Sequence, residues 1–200
     1  MNQDLQALLA DGPPSPESVD KFVAGREFPL VDAAGVTFFY RGEADQVLLR
    51  HWVYGLPSSQ ALDRVENTDL WHLFIELPPR SRIEYKFDVI TGEDNRWIID
   101  PLNPLTAEDP FGQNSVCRAY GYERPLWSRP GQGSRPGTVD AFSMHSTHLE
   151  GPREILCYLP ARFRRNRRYP LLVVHDGADF LRFADLRAVL DNLIERLEIP

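Results

Sequence analysis

The hydrophobic period changes along the chain, and the changes divide it. Residues 3–10 place Leu5, Leu8 and Leu9 at helical spacing, and the stripe stops at Asp11-Gly12. Ser15 before Pro16 and Glu17 has the pattern of an N-cap with proline in the first turn. Val19, Phe22 and Val23 then form the apolar face of a second helix, which Gly25 stops. Two short amphipathic helices each have a stripe to bury, and they are expected to cover part of a sheet.

From residue 28 to about residue 120 the period is two. Residues 36–40, with Val36, Phe38, Phe39 and Tyr40, read as a strand, and residues 42–45 as a turn. Residues 47–53 and 71–77 read as further strands, the latter closed by Pro78-Pro79. Residues 83–89 alternate through Ile83, Tyr85, Phe87 and Val89 and end at Thr91-Gly92. Short strands at this spacing, rich in β-branched and aromatic residues, predict an immunoglobulin-like β-sandwich. After Trp97 to Ile99, Asp100-Pro101-Leu102-Asn103-Pro104 reads as an ordered exit loop, because each proline biases its predecessor toward extended backbone.

Residues 123–138 hold Pro125, Pro130, Gly131, Gly133, Pro136 and Gly137 with almost no aliphatic side chains, and they read as a linker. Beyond it, residues 141–149 and 154–159 read as strands joined by Glu150-Gly151-Pro152. Leu171-Leu172-Val173-Val174 is a continuous apolar run, the signature of an inner strand covered on both faces. Leu186, Val189, Leu190, Leu193, Ile194 and Leu197 follow at helical spacing. The expected division is N-terminal helices over 1–27, a sandwich module over 28–122, the linker over 123–138, and a β-β-β-α start of an α/β domain over 139–200.

Composition narrows the partners. Hydrophobic residues make up 42% of the chain and charged residues 26%, ordinary for a globular protein. A net charge of −7 argues against nucleic acid or an anionic membrane as the main partner. The N-terminus lacks the basic start and apolar core of a signal peptide, and no apolar run reaches the roughly 18–20 residues of a membrane span. A cytoplasmic, soluble protein is expected. The two cysteines, Cys117 and Cys157, make no disulfide framework, and the five histidines show no metal-ligand spacing, so neither a metal nor another cofactor is expected.

The chemistry-bearing residues are few. No Gly-x-Ser-x-Gly pentapeptide occurs, so no nucleophile elbow is visible. Gly131-Gln132-Gly133-Ser134 falls in the linker. In His145-Ser146-Thr147-His148 alternate residues of a strand point to opposite faces, which separates each hydroxyl from its neighbouring imidazole. The arginines 162, 164, 165, 167 and 168 cluster between two strands and are expected to be a solvated loop. Trp71 lies in an apolar strand and reads as core. Trp52 and Trp97, beside polar turns, are the candidates for a carbohydrate-stacking surface.

Tyr158-Leu159-Pro160, the basic loop, Tyr169-Pro170, the apolar run and His175-Asp176-Gly177 occur in that order. This stretch resembles the start of the catalytic domain in enterochelin esterase-like and esterase D-type α/β-hydrolases. Upstream, residues 29–31, 36–40, 68–71, 85–87 and 100–104 resemble the early-set, glycogen-binding-like module of the same proteins. The resemblance implies a β-sandwich followed by a partial α/β-hydrolase domain, from a serine carboxylic-ester hydrolase acting on a siderophore-type small-molecule ester. It gives Ala178 the role of an oxyanion N–H donor and Gly177 that of a tight turn, with His175 and Asp176 organising the loop. The other reading of Asp176-Gly177 is a turn that merely ends a strand.

In this family the serine, acid and histidine all follow the oxyanion strand, so the triad is expected beyond Pro200 and the 200 residues alone are expected to be inactive. The alternative is a noncatalytic module that binds a glycan or a protein partner and carries a vestigial hydrolase tail. No oligomeric state follows from the sequence.

Overall fold

The computed structural model describes residues 2–200, which form two compact units meeting at Glu123 and Arg124. The first unit opens with two helices, α1 (Gln3–Leu9) and α2 (Pro16–Val23). Ser15 caps α2 by accepting from the Ser18 amide at 3.3 Å, and Gly25 follows in the left-handed region at φ 74°. Ten strands follow: β1 (Leu30–Asp32), β2 (Gly35–Arg41), β3 (Gln46–His51), β4 (Ser59–Ala61) and β5 (Asp63–Arg64). The remainder are β6 (Leu70–Ile75), β7 (Arg82–Thr91), β8 (Asp94–Ile98), β9 (Thr106–Asp109) and β10 (Gly112–Arg118).

They make two antiparallel sheets. One has the order β1-β2-β6-β5, the other β4-β3-β7-β10-β9, with β8 also on β7. The long β7 pairs with β3 along one edge, and its other edge is shared by β10 and β8. Alternation sends Tyr85, Phe87 and Val89 of β7 into one core with Phe38 and Tyr40 of β2 and Trp71 of β6. Trp71 is buried as its strand suggested, and its indole N–H donates to the Gly42 carbonyl at 3.0 Å.

β2 is buried on both faces, which alternation alone would not require. Phe39, pointing away from the shared core, meets Phe22 and Phe28 at ring-centroid distances of 5.3 Å each. Leu5 and Val19 join this second cluster with Val65 and Leu70, so α1 and α2 cover the outer face of the four-stranded sheet. Arg41 at the end of β2 is paired with Asp20 of α2 at 2.6 Å and with Asp69 at 3.2 Å.

The second unit holds a long hairpin, β11 (Thr138–His145) and β12 (Pro152–Leu159), and two helices, α3 (Gly177–Phe183) and α4 (Leu186–Glu195). Thr138 pairs with Leu159 and His145 with Pro152. β11 therefore ends four residues before the expected end at residue 149. Ser146 turns the chain instead, its Oγ accepting from the amides of His148 and Leu149 at 3.2 Å each.

Two further expectations are corrected. Residues 171–174 form no ladder, and Leu171, Leu172 and Val173 are 88%, 64% and 69% exposed. An apolar run becomes a strand only when neighbours pair its N–H and C=O groups, and none of the described residues does so. The most buried residues of α4 are Asp191 and Asn192, while its apolar stripe is only half-covered and Leu197 lies beyond the helix, 89% exposed.

Those two polar side chains hold the segment expected to be a free linker. Asn192 donates to the carbonyls of Trp127 and Arg129 at 2.9 Å each and accepts from the Ser134 hydroxyl at 2.7 Å. Asp191 Oδ1 accepts from the Gly137 amide and the Tyr158 hydroxyl, both at 2.7 Å. Burial, with the Asp191 carboxylate beside it, pushes the Tyr158 hydroxyl above its ordinary pKa. A Cβ at position 137 would stand 2.6 Å from the Leu159 carbonyl oxygen, so glycine is what lets the chain approach β12 there.

Candidate functional site

The site named by the sequence is the loop between the apolar run and α3. The residue in the left-handed region is Asp176, at φ 53° and ψ 35°. Gly177 needs no positive φ and a Cβ there would meet nothing, so the tight turn expected of Gly177 is made by Asp176. The Asp176 carbonyl accepts from the amides of Asp179 at 3.0 Å and Phe180 at 3.1 Å, which starts α3. Its carboxylate forms no cap, and the side chains of His175 and Asp176 are exposed with no hydrogen bond among the described residues. The organising contact is therefore backbone.

This arrangement leaves the amides of Gly177 and Ala178 at the first two positions of α3 with no acceptor among the described residues. A helix start always has such unpaired N–H groups, and they point outward along the axis toward incoming negative charge. Two adjacent amides fixed by one strained residue are suited to donate hydrogen bonds to an oxyanion.

The other candidates scatter. Trp97 is 50% exposed, and the Arg50 guanidinium sits 4.6 Å from its ring centroid, occupying one face. Arg50 in turn lies 3.3 Å from the buried Asp88 carboxylate. Trp52, 86% exposed, is in no ring pair among the described residues. The five arginines at 162–168 are all exposed, on a loop clasped by the Phe163 and Tyr169 rings at 5.0 Å. Among the described residues no group of three metal-ligating side chains converges, and no helix is long and apolar enough to cross a membrane. Both cysteines are free thiols, and burial, with Asp100 nearby, pushes Cys117 up to about 12.

Sequence reasoning missed a polar cluster inside the first unit. The Tyr85 hydroxyl donates to Asp100 Oδ2 at 2.6 Å and accepts from Asn103 Nδ2 at 3.0 Å. Asn103 also donates to the Val116 carbonyl at 2.9 Å, and the Ser115 hydroxyl accepts from the Asp100 amide at 2.7 Å. Burial raises Asp100 to about 6, against the lowering effect of the Tyr85 hydrogen bond. The signal is the Asp-Pro-Leu-Asn-Pro motif, whose prolines mark the loop while its Asp100 and Asn103 side chains carry the cluster.

Residues 146–200 match the family model described as "Putative esterase". No curated protein matches the chain. Among solved structures it is similar to the ferric enterobactin esterase of Salmonella typhimurium, at 19% identity and a TM-score of 0.59, covering 86% of this chain and 53% of that one. It is similar also to the enterobactin esterase of Shigella flexneri in the presence of enterobactin, at 20% identity and a TM-score of 0.56, covering 82% and 50%. The same enzyme in the presence of 2,3-dihydroxy-N-benzoyl-serine gives 22% identity and a TM-score of 0.54, covering 82% and 49%.

At these identities the likeness is one of fold. The chain thus has the fold of the N-terminal portion of an esterase, and residues 146–200 match the esterase family model. Enterobactin esterases are among the enzymes that share the fold, and the chain spans about half their length.

Proposed function

We propose that the chain is the N-terminal portion of a cytoplasmic serine hydrolase that cleaves a siderophore-type ester carrying aromatic acyl groups. In this reading the first unit is an immunoglobulin-like, early-set β-sandwich, and the second is the opening of an α/β-hydrolase domain. The observation that carries it is the pair of acceptor-free amides at Gly177 and Ala178, set by Asp176 within the segment that matches the esterase family. The aromatic ester is suggested by the compounds in whose presence the similar enzymes were solved.

The chemistry assigned to this chain is one half of an oxyanion hole. A serine hydroxyl supplied by the sequence after residue 200 attacks the ester carbonyl, and its proton passes to a histidine. Negative charge collects on the former carbonyl oxygen. The Ala178 amide, with the amide of the residue after the serine, donates a hydrogen bond to that oxygen, and the carbonyl re-forms when the alkoxide leaves and takes the proton from the histidine. Residues 2–200 hold the donor and lack the nucleophile.

The test is to express the coding region extended past residue 200 and assay enterobactin hydrolysis. A Gly-x-Ser-x-Gly elbow and turnover are expected, and A178P, which deletes one amide in a helical turn that tolerates proline, is expected to lower kcat about 10²- to 10³-fold. A stop codon at residue 201, or an A178P enzyme with unchanged kcat, overturns the reading.

A further inference from the structure

His51 closes β3 on the same face as the core residues Val47 and Leu49, and it is 2% exposed. Its Nδ1 lies 3.1 Å from the Val53 amide. A backbone N–H only donates, so Nδ1 is an acceptor and carries no proton. The neutral ring therefore has its proton on Nε2. Gln60 Nε2 stands 2.9 Å from that atom, and a neutral imidazole does not accept at both nitrogens. The Gln60 amide consequently turns its oxygen to the ring and accepts from Nε2–H. One tautomer of a buried histidine is fixed from both sides.

This ring holds the tip between β3 and β4. The Leu56 amide donates to the Val53 carbonyl at 3.2 Å, and the His51 amide donates to the Ser58 carbonyl at 3.1 Å, closing the base. Val53 and Leu56 pack against the main core, so lifting the tip uncovers apolar surface. Among the described residues the Val53 amide has no acceptor other than His51 Nδ1.

A proton on Nδ1 turns that acceptor into a donor facing another donor. The surrounding charged groups give no relief. On β7 the cross-strand partner is Tyr85, whose hydroxyl is tied to Asp100 and is held by burial above its ordinary pKa. Alternation points Glu84 and Lys86 of β7 to the opposite face, together with Arg50 of β3 and its partner Asp88. β4 brings Ser59 and Gln60, which do not titrate. Asp100 takes up a proton below about 6 and the Cys117 thiol stays neutral, so acidification creates no counter-charge. Burial accordingly lowers the His51 pKa.

We propose that His51 is an acid-released catch: the neutral ring locks the β3–β4 tip, and protonation at Nδ1 frees residues 52–58 while the rest of the first unit stays folded. With the tip open, the ring reaches water and titrates at its ordinary 6.5. The lock is thus fully present above pH 6.5 and weakens as pH falls, by up to tenfold per pH unit until the closed ring also takes a proton.

The test is NMR of the 200-residue protein. Ring correlations at pH 7.5 are expected to show the proton on Nε2. From pH 7.5 to 4.5 the exchange protection of the Val53 and Leu56 amides, corrected for intrinsic exchange, is expected to fall at least tenfold, with the β7 amides keeping theirs. H51N puts Oδ1 where Nδ1 stood and has nothing to titrate, so its Val53 protection is expected to be independent of pH. A ring protonated on Nδ1 at pH 7.5, or flat Val53 protection in the parent, overturns the catch. So does an unchanged pH slope in H51N, or β7 amides that lose protection in step with Val53. The tautomer and the parent's slope need no variant, so the outcome is decided even where H51N fails to fold.

Discussion

The Tyr85 hydroxyl donates to Asp100 Oδ2 at 2.6 Å, joining the middle of β7 to the loop that follows β8. Asp100 is 1% exposed, and the same loop is held by its Oδ1, which accepts from the Leu102 amide at 2.8 Å. The contact pairs buried polar groups with one another, as burial requires.

Asp100 therefore makes the first unit pH-sensitive in a definite direction. Its carboxyl titrates at about 6 when folded and at 3.8 by its ordinary value, so between these the folded state holds a proton that the unfolded state has released. Stability contributed by this group is fully present below pH 3.8 and is lost as pH rises to about 6, by about 3 kcal/mol in total. Urea denaturation across pH 4 to 7, compared with D100N, measures it. The D100N protein should lack this component of the slope, and parallel profiles for the two proteins would count against the assignment.

Asn192 is expected to control access to residues 124–137. N192A removes the acceptor of the Ser134 hydroxyl and the donor to two carbonyls, part-buried hydrogen bonds worth about 0.5–1.5 kcal/mol each. Limited digestion with subtilisin should cut this segment several-fold faster in N192A than in the parent. Equal rates would mean that the bonds to α4 do not restrain it. G137A should act in the same direction by forcing a Cβ against the Leu159 carbonyl.

Asp176 is strained and its side chain holds nothing. D176G should leave α3 intact and raise the thermal stability of the second unit by about 0.5–1 kcal/mol, since glycine adopts the left-handed region without the Cβ penalty. A fall in Tm of similar size would show that the carboxylate has a contact in solution.

Periodicity was informative where one face of an element meets one core. Tyr85, Phe87 and Val89 are buried because alternation puts them there, and Val19 and Phe22 because a helical stripe does. It was uninformative where an element answers to groups far away in sequence. Asp191 and Asn192 lie outside the apolar stripe of their helix, yet their partners lie in the segment whose glycines and prolines read as a linker. The run 171–174 reads as an inner strand from its own composition, but pairing is a property of two segments and a single run cannot declare it. At the candidate site the motif gave the position, while the conformational work fell on Asp176 and not on the glycine beside it, because φ is not written in a residue name.

The bonds from Asp191 and Asn192 to residues 127–137 reach back 54 to 65 residues, and this sets an order of events during synthesis. Residues 2–123 hold all the partners of their own sheets and helices and need nothing made later. The carbonyls of Trp127 and Arg129 and the amide of Gly137, by contrast, leave the ribosome before their partners exist. At about 5–20 residues per second they wait roughly 3 to 13 seconds, solvated and open to proteases, until α4 is made. The first unit is thus free to finish folding while the second is still an unfinished nascent chain.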